Sequence, residues 1–316
     1  MLLRTLMHTL AAQLASVAEC FICFIKPTIA ARVVRLLVWK DHQAKADLAY
    51  GDHPRHRMDL YGVQTDSKQP PRPVLVFVHG GAWAFGHKWQ YGLVGEFLSK
   101  HGLLVAMINY RTFPAGTVLD MVQDVEDAEH TCALALARAV RFDDANEPEA
   151  RSITWTVGAD SEVASDMRSQ IRAFIGMSGP YDIEEQYLFE IERGIYQISP
   201  LKPANQGKQC FRQHSPTTIV AHAAAAAAGN TDLQLMGPAV FTSKWDLMQA
   251  VPRSSSLKFV DALRQAQVYA EFLKIEKCTH EDVLFVLMAE ANHVHDEFLA
   301  LIHRVIQSET EGSTNW

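Results

Sequence analysis

The chain has 316 residues, of which 48% are hydrophobic and 21% charged. That composition can bury one large core, roughly a 250-residue domain with appendages, and it excludes a disordered or low-complexity protein. A formal net charge of -7 with no long basic run excludes the electrostatic footprint of a nucleic-acid binder and leaves small or neutral substrates. The 5 cysteines, Cys20, Cys23, Cys132, Cys210 and Cys278, are odd in number and widely spread, which suits a reducing compartment with mostly buried thiols. Cys20 and Cys23 form a C-x-x-C in an apolar stretch with no second pair, so buried structural thiols or a lipidation site outrank a redox or zinc motif.

Residues 1–45 read as an N-terminal apolar and amphipathic helical segment. From Thr5 to Ile25 the only formal charge is Glu19, and the run has about the 20 residues a membrane-crossing helix needs. Glu19 makes that crossing marginal, because an acid at mid-membrane costs about 2.5 kcal/mol or more. Arg32 to Lys40, RVVRLLVWK, sets basic residues around Val, Leu and Trp as an interfacial helix does. Membrane contact through residues 5–40 is one reading. A helical hairpin packed on the body, or a signal-type segment without a clear cleavage site, is the other.

Residues 46–308 form the predicted main domain, and 309–316 a disordered tail. Short apolar runs end on polar residues: VLVFVHGG (Val74 to Gly81), LLVAMINYR (Leu103 to Arg111), IRAFIGMSG (Ile171 to Gly179), MGPAVFTSKWD (Met236 to Asp246) and AEFLKIEKCTH (Ala270 to His280). Apolar runs of that length without alternation are what a parallel sheet covered on both faces requires. Helical stretches lie between them at YGLVGEFLSKHG, after Thr117 and at SSSLKFVDALRQAQ, with a last one at HDEFLALIHRVIQ. The alternation predicts a doubly wound, mostly parallel α/β domain. AHAAAAAAGN (Ala221 to Asn230) is the one biased segment, a helix or a variable surface insert.

The strongest motif is HGGAW, His79 to Trp83, directly after an apolar strand. Two adjacent glycines free the backbone of side chains where it must approach a substrate, and their N–H groups can then point at a developing oxyanion. NYRTFPAG (Asn109 to Gly116) follows the next strand as its companion.

With these residues in place the chain resembles a known family. MDLYG (Met58 to Gly62), VFVHGGAWAFGHKW, INYRTFPAGTVLDMVQDVEDA, IGMSGPYDI, VPRSSSLKFVDAL, CTHEDVLF and DEFLALIHRVI, in that order, are similar to the α/β-hydrolase carboxylesterases that include isoprenylcysteine methylesterases, with kynurenine formamidases more distant. The resemblance implies an α/β-hydrolase fold and hydrolysis of a carboxylic ester by a Ser-Asp-His triad, the methyl ester of prenylated cysteine in particular. Partners are then a small-molecule ester or a prenylated-protein C-terminus. No cofactor, metal or nucleic acid is expected. It also implies a membrane-associated enzyme of the endoplasmic reticulum or Golgi, with a cytoplasmic one as the alternative.

Carried over residue by residue, His280 in CTHED matches the catalytic histidine and Asp246 matches the acid that orients it. Gly80, Gly81 and Ala82 match the oxyanion-hole amides, and the Trp83 ring walls the acyl pocket or packs beneath the loop. Near Asp246 the pattern departs: TSK stands where a glycine is usual, and the stretch to Val251 and Pro252 is long.

The nucleophile is the difficulty. The family's serine sits in a G-x-S-x-G elbow between a central strand and the next helix, and that pattern occurs nowhere in the sequence. GADSE (Gly158 to Glu162) puts Ser161 at the fourth place among acids, and GMSGP (Gly176 to Pro180) puts Ser178 in the strand after the elbow. Both serines read as structural or loop residues. TVLDMVQDVEDA resembles the helix before the elbow's strand, and HTCALALARAV the helix after the elbow serine, so the central strand and elbow are expected to be deleted at Ala128 to His130. Val118, Met121, Val122, Val125, Ala128, Cys132, Ala135, Leu136 and Ala139 stay at helical spacing, which predicts one long helix or two joined by a kink across the join. Three readings remain open: an incomplete gene model or splice form of a working esterase, an inactive relative or truncated isoform kept as a binding protein, or an esterase with an unrecognised nucleophile.

Overall fold

A computed structural model describes residues 44–63, 72–137, 173–177, 179–226, 239–243, 251–274 and 293–307. The chain divides into two compact units, residues 1–160 with 287–289 and residues 161–286 with 290–316.

In the first unit β1 (Ala44–Ala49) and β2 (Arg57–Tyr61) pair antiparallel, β3 (Val74–Val78) leads through a 3-10 turn (Lys88–Tyr91) to α1 (Gly92–Lys100), and β4 (Leu104–Ile108) leads to α2 (Val118–Ala137). The order across the sheet is β1-β2-β4-β3, with β2 antiparallel and β3 parallel to β4. β4 is the middle of this sheet: Val105, Ala106, Met107 and Ile108 are all buried, so neither face meets water and the sequence shows no alternation. Ala106 and Ile108 on one face meet Ala128 and Cys132 of α2 together with Tyr50, Met58 and Leu60. Burying a side chain such as Ile108 contributes about 1.5–3 kcal/mol. β1 carries a bulge between Lys45 and Leu48, where Asp47 takes a φ of 63° and its amide donates to Asp59 Oδ1 at 2.8 Å.

α2 starts where Thr117 donates both its amide and its hydroxyl to Asp120 Oδ2, each at 2.8 Å, which satisfies an orphan donor of the first turn. It then runs unbroken from Val118 to Ala137, as the periodicity across the join predicted. Met121, Asp124, Ala128, Thr131 and Cys132 make its buried face. Val122, placed on the apolar stripe by sequence, is instead 52% exposed beside Leu119 at 53%. The buried stripe is therefore narrower than hydropathy alone suggests, because a fully buried Asp124 occupies its middle.

In the second unit β5 (Phe174–Met177) is followed by α3 (Ile183–Glu192), two four-residue helices α4 (Leu201–Ala204) and α5 (Phe211–His214), and α6 (Pro216–Ala226). β6 (Ala239–Ser243), α7 (Arg253–Gln265), β7 (Ala270–Lys274) and α8 (His293–Gln307) complete it. Its sheet has the order β5-β6-β7, all parallel. Tyr181 stacks on Phe259 with ring centroids 4.7 Å apart, in a cluster with Val260, Leu263, Val268 and Ala270. Asp182 caps α3 by accepting from the Glu185 amide at 3.0 Å, and the buried Ser255 hydroxyl accepts from the Tyr181 and Asp182 amides at 2.8 and 2.9 Å.

Five strands and four helices thus lie where the sequence placed them, while the expected mostly parallel sheet takes the form of one mixed and one parallel sheet. Among the described residues β3 pairs only with β4, and β5 only with β6. The first forty-three residues and the tail lie outside the described residues, and the membrane reading with them. Among the described residues no helix is long and apolar enough to cross a membrane.

Candidate active site

β3 ends at Val78, and the chain turns at once through His79 to Gly86. Gly81, Ala82 and Trp83 all take positive φ, 145°, 44° and 67°. Three such residues in a row bend the backbone so tightly that the amides of Ala84 and Phe85 both return to the Gly81 carbonyl at 3.0 Å. A Cβ on Gly81 would lie 1.9 Å from the Phe85 carbonyl oxygen, and one on Gly86, where φ is 97°, would lie 2.2 Å from that of Gly80. Only glycine fits either place. The strain at Ala82 and Trp83, of order 1–3 kcal/mol for each such non-glycine residue, is the kind stored at binding sites. Among the described residues nothing accepts from the amides of Gly80, Gly81 or Ala82. Gly80 and Ala82 are exposed. A run of unpaired, solvent-facing N–H groups on a sharply turned backbone is a concavity for negative charge.

The turn is anchored from below. His79 is buried between Tyr91 and Tyr110, with ring centroids at 6.1 and 4.5 Å. Its Nδ1 faces the Gly80 carbonyl at 2.8 Å, a contact that requires a proton on Nδ1, and burial pushes the imidazole down to about 3. His79 is therefore a neutral donor that fixes the turn, and no base. Tyr110 donates its hydroxyl to the His79 carbonyl at 2.6 Å, and the Phe113 amide donates to the Trp83 carbonyl at 2.8 Å. The guanidinium of Arg55 donates to the carbonyls of Gly86 at 2.9 Å and Tyr110 at 2.6 Å.

Two further networks hold the strand ends that carry these anchors. Asn109 receives the Lys88 amide at 2.7 Å, its Nδ2 lies 3.0 Å from His87 Nε2, and its carbonyl accepts from the Tyr50 hydroxyl. Lys88, buried, donates to Asp59 and, at 2.9 Å, to Asp47. Burial, with Arg55 and Lys88 nearby, pushes His87 down to about 4. Asp124 of α2 is fully buried: it accepts from the Arg111 amide at 2.7 Å and from the Arg111 guanidinium, and His56 Nε2 stands 3.0 Å away. Burial alone would raise that carboxyl, but the Arg111 hydrogen bonds outweigh it and hold it below its ordinary range.

Of the residues singled out by sequence, Gly80, Gly81, Ala82 and Trp83 come together in this turn. Asp246, His280, Ser161 and Ser178 lie outside the described residues. Arg55, Tyr110 and the Arg111–Asp124 pair were not singled out as site residues, though NYRTFPAG already contained two of them. Among the described residues no group of acids, histidines and cysteines is arranged to hold a metal.

The BD-FAE family model matches residues 58–137, which span β2 to the end of α2 and include the turn. The solved esterase B of Lactobacillus rhamnosis aligns with 99% of this chain and 99% of its own at a TM-score of 0.59 and 13% identity, a likeness of fold. A probable isoprenylcysteine alpha-carbonyl methylesterase of Oryza sativa subsp. japonica is 31% identical over 83% of this chain and 64% of its own length. One of Arabidopsis thaliana is 28% identical over 85% of this chain and 65% of its own. The chain has the fold of solved esterases and is similar to the α/β-hydrolase carboxylesterases. Within that group it is similar to the isoprenylcysteine alpha-carbonyl methylesterases, and it spans about two thirds of the length of the curated relatives it matches.

Proposed function

We propose that this protein acts on carboxylic esters as a hydrolase, with the His79 to Gly86 turn as its oxyanion loop. The observation that carries the reading is the set of unpaired amides at Gly80, Gly81 and Ala82, which a tetrahedral intermediate would occupy. His280 would be the base, Asp246 its orienting acid and Trp83 a wall of the acyl pocket. The relatives' names support the methyl ester of a prenylated cysteine as the substrate class, either a small molecule or a prenylated-protein C-terminus. Contact of residues 5–40 with a membrane, at the endoplasmic reticulum or Golgi, goes with that substrate.

A second reading, ester binding without turnover, has its own support: the sequence contains no G-x-S-x-G. α2 crosses Ala128 to His130 without interruption, and β3 and β5 each keep one side without a strand among the described residues. Without the nucleophile, a histidine and oxyanion donors keep only about 10³–10⁴-fold catalysis over water.

The test is the purified chain with p-nitrophenyl acetate, a fluorophosphonate probe and a prenylcysteine methyl ester. Rapid hydrolysis with stoichiometric labelling supports the hydrolase and reveals its serine. Ester binding with neither activity supports the binding reading, and a version with a strand and elbow inserted between Ala128 and His130 then gains both. Failure to bind or cleave any ester in either version overturns both readings.

A further inference from the structure

We propose that Arg55 is the positioning residue of the oxyanion loop, a guanidinium fork that locks the end of the turn to the residue that locks its start. The proposal rests on reading residues 79–86 as that loop. Tyr110 holds the start, through its hydroxyl on the His79 carbonyl at 2.6 Å. Arg55 Nη2 holds the end, at the Gly86 carbonyl, and Arg55 Nε holds the Tyr110 carbonyl itself. Start and end touch, since any Cβ on Gly86 would run into the Gly80 carbonyl. A swing of Gly86 therefore turns the peptide planes whose amides face the substrate.

The residue type fits the task. Two carbonyls from separate segments are met by the rigid, planar spread of a guanidinium, which a single ammonium on a flexible stem does not reproduce. The guanidinium is half-buried, and among the described residues no carboxylate pairs with it. Its charge is felt at both His79 and His87, where it helps to depress the imidazoles. A cation bonded to the backbone of an oxyanion loop favours the charge that develops there. Apolar packing would fill the same volume without either effect.

The experiment uses the full chain labelled with 5-fluorotryptophan, the Trp83 resonance being assigned through Trp83→Phe. Arg55→Gln and Arg55→Lys are each expected to shift and broaden that resonance and to raise amide exchange at Ala84 and Phe85, which donate to the Gly81 carbonyl, by about tenfold, with the second unit unchanged. Methylguanidinium added to Arg55→Gly is expected to restore the resonance, which general loss of packing would not allow. The His87 imidazole titrates higher in Arg55→Gln. A Trp83 resonance and loop exchange identical to the parent in Arg55→Gln, or fully restored by Lys, overturns the proposal.

A separate arm tests the underlying reading in whichever form, parent or elbow-restored, hydrolyses p-nitrophenyl acetate. There Arg55→Lys is expected to lower kcat with KM unchanged. A loosened loop with unchanged kcat rejects the oxyanion assignment and leaves the positioning role standing.

Discussion

The Tyr110 hydroxyl donates to the His79 carbonyl across 2.6 Å while the two rings stack at 4.5 Å, so one side chain fixes both the backbone and the imidazole at the start of the turn. Tyr110→Phe keeps the stacking and strands a buried carbonyl. The expected loss is about 1–3 kcal/mol of stability, read by denaturant midpoint, with exchange rising at the Ala84 and Phe85 amides ahead of the rest. An unchanged midpoint would mean that water replaces the hydroxyl.

Gly86 and Gly80 make a contrasting pair. Gly86→Ala sets a Cβ 2.2 Å from the Gly80 carbonyl oxygen at a φ of 97°, and should destabilise by at least about 2 kcal/mol. A Cβ on Gly80 meets nothing within 4 Å, so Gly80→Ala should stay within about 0.5 kcal/mol of the parent. Thermal melts of the two variants decide it. Equal costs would refute the geometry of the turn.

Asp124 sits fully buried between Arg111 and His56. Asp124→Asn leaves the Arg111 guanidinium with Asp120, at 3.1 Å, as its charge partner, and is expected to cost about 1–3 kcal/mol. Because the folded carboxyl lies below its ordinary range, its contribution is present above the unfolded pKa and is lost as pH falls through the folded one. The parent should therefore lose stability on acidification, with a smaller slope in Asp124→Asn. Parallel slopes would count against the pair.

Glu190 behaves in the opposite sense. Burial raises its carboxyl, with Ser199 and Gln186 hydrogen bonds opposing. The folded state thus holds its proton more tightly than the unfolded, and stability declines as pH rises from the ordinary glutamate range toward the raised one. Glu190→Gln should be at least as stable as the parent at neutral pH and should flatten that decline. A steeper decline would show that the charged form is the one the fold prefers.

The regular elements were legible because their hydrophobic period is local: β3, β4, β7, α1, α7 and α8 each announce themselves within a few residues. The HGGAW turn was legible for the same reason, since two glycines after a strand leave few other uses. Arg55 was not, because nothing in DHPRH distinguishes a solvated arginine from one whose partners, Gly86 and Tyr110, lie 31 and 55 positions away. The same holds for Asp124, which reads as one more acid of a helix whose apolar stripe it interrupts. The antiparallel β1–β2 pair escaped because ADLAYGDHPRHRM has no alternation strong enough to mark it, and its register is set by the Asp47 bulge. Helices α4 and α5 have 4 residues each and are held by side-chain bonds such as that from Ser215 Oγ to the Phe211 carbonyl at 2.7 Å, which periodicity does not register.

β3 reads Val-Leu-Val-Phe-Val, carries no charge or proline, and among the described residues has a ladder on one side only, with Val78 43% exposed. A bare flank of that composition is a template for any extended apolar chain, including another copy. Where such flanks meet they pair, so the dispersed amount is expected to fall with expression level even when every molecule is folded. A single lysine at Val78 should keep more of it in the supernatant after centrifugation without raising its melting temperature.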